Sequence, residues 1–135
     1  MQRHQPNGLA YYTFDSLLNT DGIIHAISTR HGGISPAPFH SLNLSVATGD
    51  HPSNVNANIS RLHHALALDA LASATVSASQ AQADQVAMVH ADDRGTRIQN
   101  VDALITNAPD LPLLLRFADC VPIFFYDPVQ RAIGI

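Results

Sequence analysis

The sequence predicts an α/β fold. Short β-favouring runs recur along the chain, one amphipathic helix can be traced from its spacing, and two runs are almost continuously apolar. Those two, "LPLLLRFA" (111–118) and "VPIFFYD" (121–127), have the composition of strands buried on both faces. The 135 residues read as a single domain, long enough for folding to bury roughly two-thirds of the surface the unfolded chain exposes.

The elements follow in order. The start, "MQRHQPN", reads as a frayed terminus carrying His4. "GLAYYTF" (8–14) and "GIIHAIST" (22–29) are strand-like, the second bounded by Asp21-Gly22 and by "RHGG". "SPAPFHSLNLSVATGDHPSN" (35–54) is a Pro/Gly/Ser-rich loop, broken by the apolar alternation of Leu42, Leu44 and Val46. A helix is expected from near Ser53 to near Asp69, because the spacing of Val55, Ile59, Leu62 and Leu66 puts them on one face. Asp50 or Ser53 would cap it, and Pro52 suits its first turn. The small-residue stretch "ALALDALASATVSASQAQA" is the helix end running into a strand, not a linker. "TVSASQA", "QVAMVH", a turn at "ADDRGT" and "VDALIT" come next. After the two apolar runs, "DPVQR" is a turn and "AIGI" begins a further, central strand. Domains rarely stop inside a buried strand, so Ile135 is read as an artificial or truncated terminus.

Composition narrows the function. The apolar fraction is 46% and the charged fraction 13%, with net charge −4 and no Lys, Glu or Trp. The arginines are scattered, so no basic patch suggests nucleic acid or a membrane surface as partner. A single cysteine excludes an internal disulfide, and no signal-peptide core or membrane-span run is present, which points to a reducing cytoplasm.

That cysteine, Cys120, admits three readings: a buried small hydrophobe, a nucleophile or a metal ligand. Its place after an apolar run, beside Asp119, is where α/β proteins tend to put ligand-binding groups. Nucleophile and ligand both need histidine nearby in space. His63 and His64 are expected on the solvent side of the helix, and His25 inside a strand as a hydrogen-bonded core residue. His31, His40 and His51 lie in loops without paired ligand spacing; His90 ends a strand and faces either site or solvent. Arg30, followed by Gly32-Gly33, is either an anion anchor or a surface arginine beside an ordinary turn. Ser41 and Asn43 of "SLN" offer a hydroxyl and an amide that substrate or loop backbone could use.

Taken together, "STRHGGISPAPFHSLNLSVATGDHPSNVNANISRL" (28–62), "VAMVHADDRGT" and "VDALITNAPDLPLLLRFADCVPIFFYDP" (101–128) resemble the zinc-dependent purine nucleoside phosphorylase family. Its members are also described as laccase-domain, multicopper polyphenol oxidase or peptidoglycan editing factor-like proteins. The T-R-x-G-G, S-L-N-L, G-D-x-P-x-x-V and A-D-C-V-P elements carry the likeness, which spans nearly the whole chain. It implies a layered sandwich of mixed β-sheets flanked by helices, similar to putative cysteine hydrolases, and incomplete here at the C-terminus.

The resemblance also implies one zinc held by two histidines and a cysteine. Cys120 matches the cysteine; a second ligand comes from a Q-x-H-G motif, and a third from a His-Ala-Gly-Trp-Arg-Gly motif beyond Ile135. Over the Q-x-H-G motif stands "QAQA": Gln80 matches, but Gln82 occupies the histidine position and Ala83 the glycine. An amide oxygen is a poor substitute for imidazole on zinc, so this chain is expected not to hold a catalytic ion. The intact family implies phosphorolysis of adenosine, inosine or methylthioadenosine, and adenosine deamination, with purine nucleoside and phosphate as partners. Arg30 would anchor phosphate or substrate, Asn43 would orient a substrate hydroxyl, and Asp119 would support its neighbours rather than act as base. The alternatives are a cysteine hydrolase or peptidoglycan-precursor editing enzyme using Cys120, or an inactive truncated paralogue. Copper oxidase chemistry would need more His and Met ligands than this sequence offers. Oligomeric state is not legible in the sequence.

Overall fold

The computed structural model describes residues 1–135, the whole sequence, and is of mixed α/β class. Within the stretch read as one domain, two compact units are distinguished, Met1–Asp69 and Ala70–Ile135.

In the first unit, β1 (Gln2–His4), β2 (Tyr11–Thr13) and β3 (Ile27–Ser28) form an antiparallel sheet in that order. The N-terminus is therefore not frayed. His4 Nε2 sits 2.9 Å from Thr13 Oγ1, and its ring stacks on Tyr11 at 4.9 Å, which gives a polar segment enough cross-strand contact to pair. A one-turn helix, α1 (Asp15–Leu18), follows β2. His25 lies just before β3 rather than within it. It is buried, and its Nε2 accepts the Phe14 N–H at 2.7 Å.

The helix legible in the sequence is α2 (Pro52–Ala65). Its cap is His51, neither Asp50 nor Ser53: the His51 Nδ1 accepts the Ser53 N–H at 3.3 Å, and Pro52 fills the first turn, where no N–H is needed. It ends at Ala65, four residues short of Asp69, with the Leu66 N–H turning back to the carbonyls of Leu62 and His63. Leu62 joins Leu9 and Leu42 in the core, flanked by Tyr11, Leu44, Ala65 and Leu66. The Leu42–Val46 alternation thus contributes core side chains without forming a strand. His63 is buried rather than solvent-facing, its Nδ1 2.9 Å from the Ile59 carbonyl; His64 is exposed, as expected.

The second unit contains β4 (Val76–Ser79), β5 (Val86–Met88), β6 (Arg97–Gln99), β7 (Ala103–Thr106), β8 (Leu113–Leu114), β9 (Phe125–Asp127) and β10 (Ala132–Gly134). One sheet, ordered β6-β4-β8, is parallel. The other, ordered β5-β7-β10-β9, is mixed: β5 runs parallel to β7, while β10 is antiparallel to both β7 and β9. Val76 and Ala78 from the first sheet and Leu104 from the second share a core with Val89 and Leu111.

One expectation is corrected here. The apolar runs are not strands buried on both faces: only Leu113–Leu114 and Phe125–Asp127 pair, each in a different sheet, and Val121 and Phe125 are 84% and 63% exposed. The "AIGI" run is central as expected, since β10 is paired with β7 on one side and β9 on the other. No helix is long and apolar enough to cross a membrane.

Candidate functional site

The loop between β3 and α2 is built around buried polar groups. Asn58 projects from α2 and is fully buried. Its amide donates to Ser35 Oγ at 2.9 Å and to the carbonyls of Ser41 and Asn43 at 3.1 and 2.9 Å, and its Oδ1 accepts the Ile34 N–H at 2.8 Å. Ser35 in turn donates to Asp50 at 2.6 Å. The Asp50 carboxylate also accepts from Asn43 at 3.1 Å, Asn54 at 3.0 Å and the His51 N–H at 2.7 Å. These donors, the Ser35 hydroxyl foremost, hold the buried carboxyl ionised, with its pKa lowered to about 2.

Gly32 and Gly33 are needed for space. A Cβ on Gly32 would strike the backbone of Gly8 and Leu9, and one on Gly33 would strike the Ser41 carbonyl and Leu42 Cα. Gly32 also holds a φ of 93°, in the left-handed region that glycine enters freely. The pair packs the loop against its neighbours, so its role is close approach rather than flexibility.

Arg30 begins this loop. Its carbonyl accepts the N–H groups of Ser41 and Leu42 at 2.8 and 2.9 Å, which places it beside the "SLN" segment. The residue is exposed, and its Nε donates to the His40 carbonyl at 3.1 Å, which ties the side chain to the loop. Asn43, by contrast, is already committed. Its Nδ2 donates to the Ser45 carbonyl, Thr48 Oγ1 and Asp50, and its Oδ1 accepts the Ser45 N–H at 3.1 Å.

In the second unit, the segment over the Q-x-H-G motif is an exposed turn. Gln82 has a φ of 57°, and the N–H groups of Ala81, Gln82 and Ala83 converge on the Asp102 carboxylate at 3.0, 2.8 and 2.8 Å. Those backbone donors, Ala83 first, hold the Asp102 pKa below the usual carboxylate value. Cys120 lies in an irregular stretch between β8 and β9 and is exposed, as is Asp119, so the buried-hydrophobe reading of the thiol is overturned. His90 is exposed too; its N–H donates to Asp93 at 2.7 Å and caps a short turn over Ala91–Asp93.

Arg30 and Asn43 thus meet in one loop of the first unit, while Gln82 and Cys120 lie in the second. No three His, Cys, Asp or Glu side chains converge anywhere in the chain. The donor set therefore fits neither a zinc site nor the several copper sites of a blue oxidase.

Sequence reasoning passed over Asn58, Asp50 as a loop centre, and Asp102. A signal existed for Asn58. It falls three residues after Val55 and four before Leu62, on the apolar face itself, where an unpaired amide would be costly.

The comparisons agree with one another. Over 124 residues the chain is 35% identical to a Bacillus subtilis protein named purine nucleoside phosphorylase YlmD, covering 87% of this chain and 44% of that protein. YlmD from Geobacillus stearothermophilus, a solved structure, matches with a TM-score of 0.85 at 32% identity, covering 97% of this chain and 49% of that one. The Bacillus licheniformis protein YfiH matches at 0.83 and 32% identity, covering 96% and 48%. The chain thus spans about half the length of the relatives it matches. The model of the family described as multi-copper polyphenol oxidoreductase laccase matches residues 24–135, and the chain belongs to that family.

Proposed function

We propose that this chain is the Arg30-bearing portion of a purine nucleoside phosphorylase. The observation that carries this reading is the 35% identity, over most of the chain, to a relative of that name. In the reaction, a phosphate oxygen attacks the anomeric carbon of the nucleoside, the glycosidic C–N bond breaks, and its electron pair leaves with the purine, which takes up a proton. Arg30 suits the phosphate. With Nε tied to the His40 carbonyl, the two terminal nitrogens can grip two phosphate oxygens without first ordering the side chain. Asn43 acts indirectly: releasing its amide to a substrate hydroxyl would break contacts to Ser45, Thr48 and Asp50, so its part is to hold the loop that presents Arg30. Adenosine, inosine and methylthioadenosine are the proposed nucleosides. No step is derived through zinc, and deamination by a zinc-bound hydroxide finds no donor set here.

The test extends the chain with the portion of Geobacillus YlmD that it does not match, carrying Gln82→His, and measures free purine. Release should require phosphate and fall at least tenfold on Arg30→Ala. Release independent of phosphate, or unmoved by Arg30→Ala, would overturn the assignment. A second reading draws on the exposure of Cys120, which leaves the thiol accessible as a nucleophile. Hydrolysis that survives a chelator but is abolished by thiol alkylation would select it.

A further inference from the structure

A cleft of about 320 Å³ opens in the first unit between α2 and the short turn over Pro6–Gly8. That volume is at the small end of the range of ligand sites, about 300–1,000 Å³, and equals the space of about ten water molecules. Neither Arg30 nor Asn43 lines it. The helix supplies one wall because residues 60, 61, 64 and 65 fall at helical spacing and share a face. The space exists because Ala65 is small. Leu62 and Leu66 reach Leu9 and Leu42 in the core, whereas Ala65, beside the same cluster, ends at its Cβ. Pro6, Leu9 and Ala65 form the apolar part of the lining; Arg61, His64 and Asp69 form the charged part.

The charged groups are unequally matched. Asp69 is engaged with His64, whose Nδ1 lies 3.2 and 3.3 Å from the two carboxylate oxygens, and this leaves Nε2 as a further polar contact. Arg61 has five N–H donors, of which only Nε has a partner, the Gly32 carbonyl at 2.9 Å, and it forms no ion pair. A tethered guanidinium without a counter-charge therefore stands beside an apolar floor. Its planar fork fits a carboxylate, and the Asp69 charge nearby disfavours a doubly charged phosphate. Ser60, His64 and Asp69 share the residue types of a hydrolytic triad but not its contacts. The Ser60 hydroxyl donates to the Asn56 carbonyl at 3.1 Å and makes no hydrogen bond with His64, so the arrangement supports binding rather than nucleophilic attack.

We propose that this cleft binds a small monocarboxylate of about ten non-hydrogen atoms, its apolar body against Pro6, Leu9 and Ala65 and its carboxylate on Arg61. The inference is independent of the phosphorylase reading, because it is tested by binding and not by turnover. Phenylacetate is the probe, titrated into the isotope-labelled full chain while backbone amide shifts are followed. Saturable shifts should centre on Asn7, Leu9, Arg61 and Ala65, with a Kd in the millimolar range or tighter. Phenethyl alcohol, which keeps the ring and lacks the charge, should bind about tenfold more weakly or worse, and Arg61→Gln should weaken phenylacetate by a similar factor. Ala65→Leu, which fills the cleft, should abolish binding, whereas Arg3→Gln, at an exposed position on β1, should leave it unchanged. The same spectra show whether each variant is folded, and the neutral alcohol tests the charge on the unaltered chain. Four outcomes would overturn the proposal: no saturable shifts, shifts centred outside the cleft, equal affinity for the alcohol, or binding indifferent to Arg61→Gln.

Discussion

Replacing Asn58 with alanine should cost this chain much of its first unit's stability. The side chain is fully buried and joins α2 to four loop positions, Ile34, Ser35, Ser41 and Asn43. Truncation leaves the Ile34 N–H and the Asn43 carbonyl without that partner, while the Ser41 carbonyl keeps the Ser35 N–H at 2.9 Å and the Ser35 hydroxyl keeps Asp50. A buried polar group left unsatisfied costs about 1–3 kcal/mol, so two of them set a range of roughly 2–6 kcal/mol. Water entering the vacated amide space would recover part of it, which favours the lower end, about 2–4 kcal/mol. That is a large fraction of the ~5–15 kcal/mol that stabilises a typical domain. Urea unfolding followed by far-UV circular dichroism measures the change, with Asn56→Ala as control: Asn56 lies two residues away on the same helix and is exposed. The control should stay within about 0.5 kcal/mol of the parent. If Asn58→Ala is no more destabilising than Asn56→Ala, the network does not hold the loop and the reasoning from burial fails.

Acid should loosen the same loop. Asp50 has its folded pKa lowered to about 2 from 3.8, so its stabilising effect is complete above pH 3.8 and is lost as pH falls toward 2; Asp50→Asn should remove that pH dependence from amide exchange at Ile34 and Ser35. His25 moves in a higher window: burial lowers its pKa below 6.5, so the neutral ring favours folding, and stability should decline as pH drops below 6.5, an effect a His25→Gln variant should lack in unfolding measurements across pH 5–8. Gly33→Ala should destabilise by more than about 3 kcal/mol because its methyl meets backbone, while Gly8→Ala, in open space at φ 81°, should cost about 1 kcal/mol for its left-handed backbone alone; thermal unfolding ranks the two. Cys120, being exposed, should react with a thiol reagent in the native chain nearly as fast as in urea, and strong native protection would contradict its position.

Helix α2 was legible because four apolar residues at helical spacing need one buried face, and packing honours that pattern. The strands around Tyr12, Val76, Met88 and Leu104 were legible by the same route. Strand β1 was not, since Gln2, Arg3 and His4 carry no apolar signal and pair through backbone bonds and the His4–Tyr11 stack. The run at 121–127 misled for a different reason. An apolar sequence records what a side chain prefers as a neighbour, but not whether this stretch of polypeptide supplies that neighbour, and Val121 and Phe125 stand exposed. At the candidate site, the motif elements located Arg30, Asn43, Gln82 and Cys120 along the chain. The commitment of Asn43 to its own loop depends on Asp50 and Thr48, which only the folded loop brings within reach.

The three N–H groups held by Asp102 set the shape of the 81–83 turn from outside it. Only backbone enters that contact, so the side chain at position 82 takes no part in specifying the turn. Shape and chemical identity are thereby uncoupled, and position 82 becomes a socket that accepts different side chains on an unchanged mount. Its φ of 57° lies in a region that histidine enters more readily than most non-glycine residues. An imidazole could be gained or lost here in a single substitution without refolding the turn, so the chemistry presented at this position can change while its backbone geometry stays fixed.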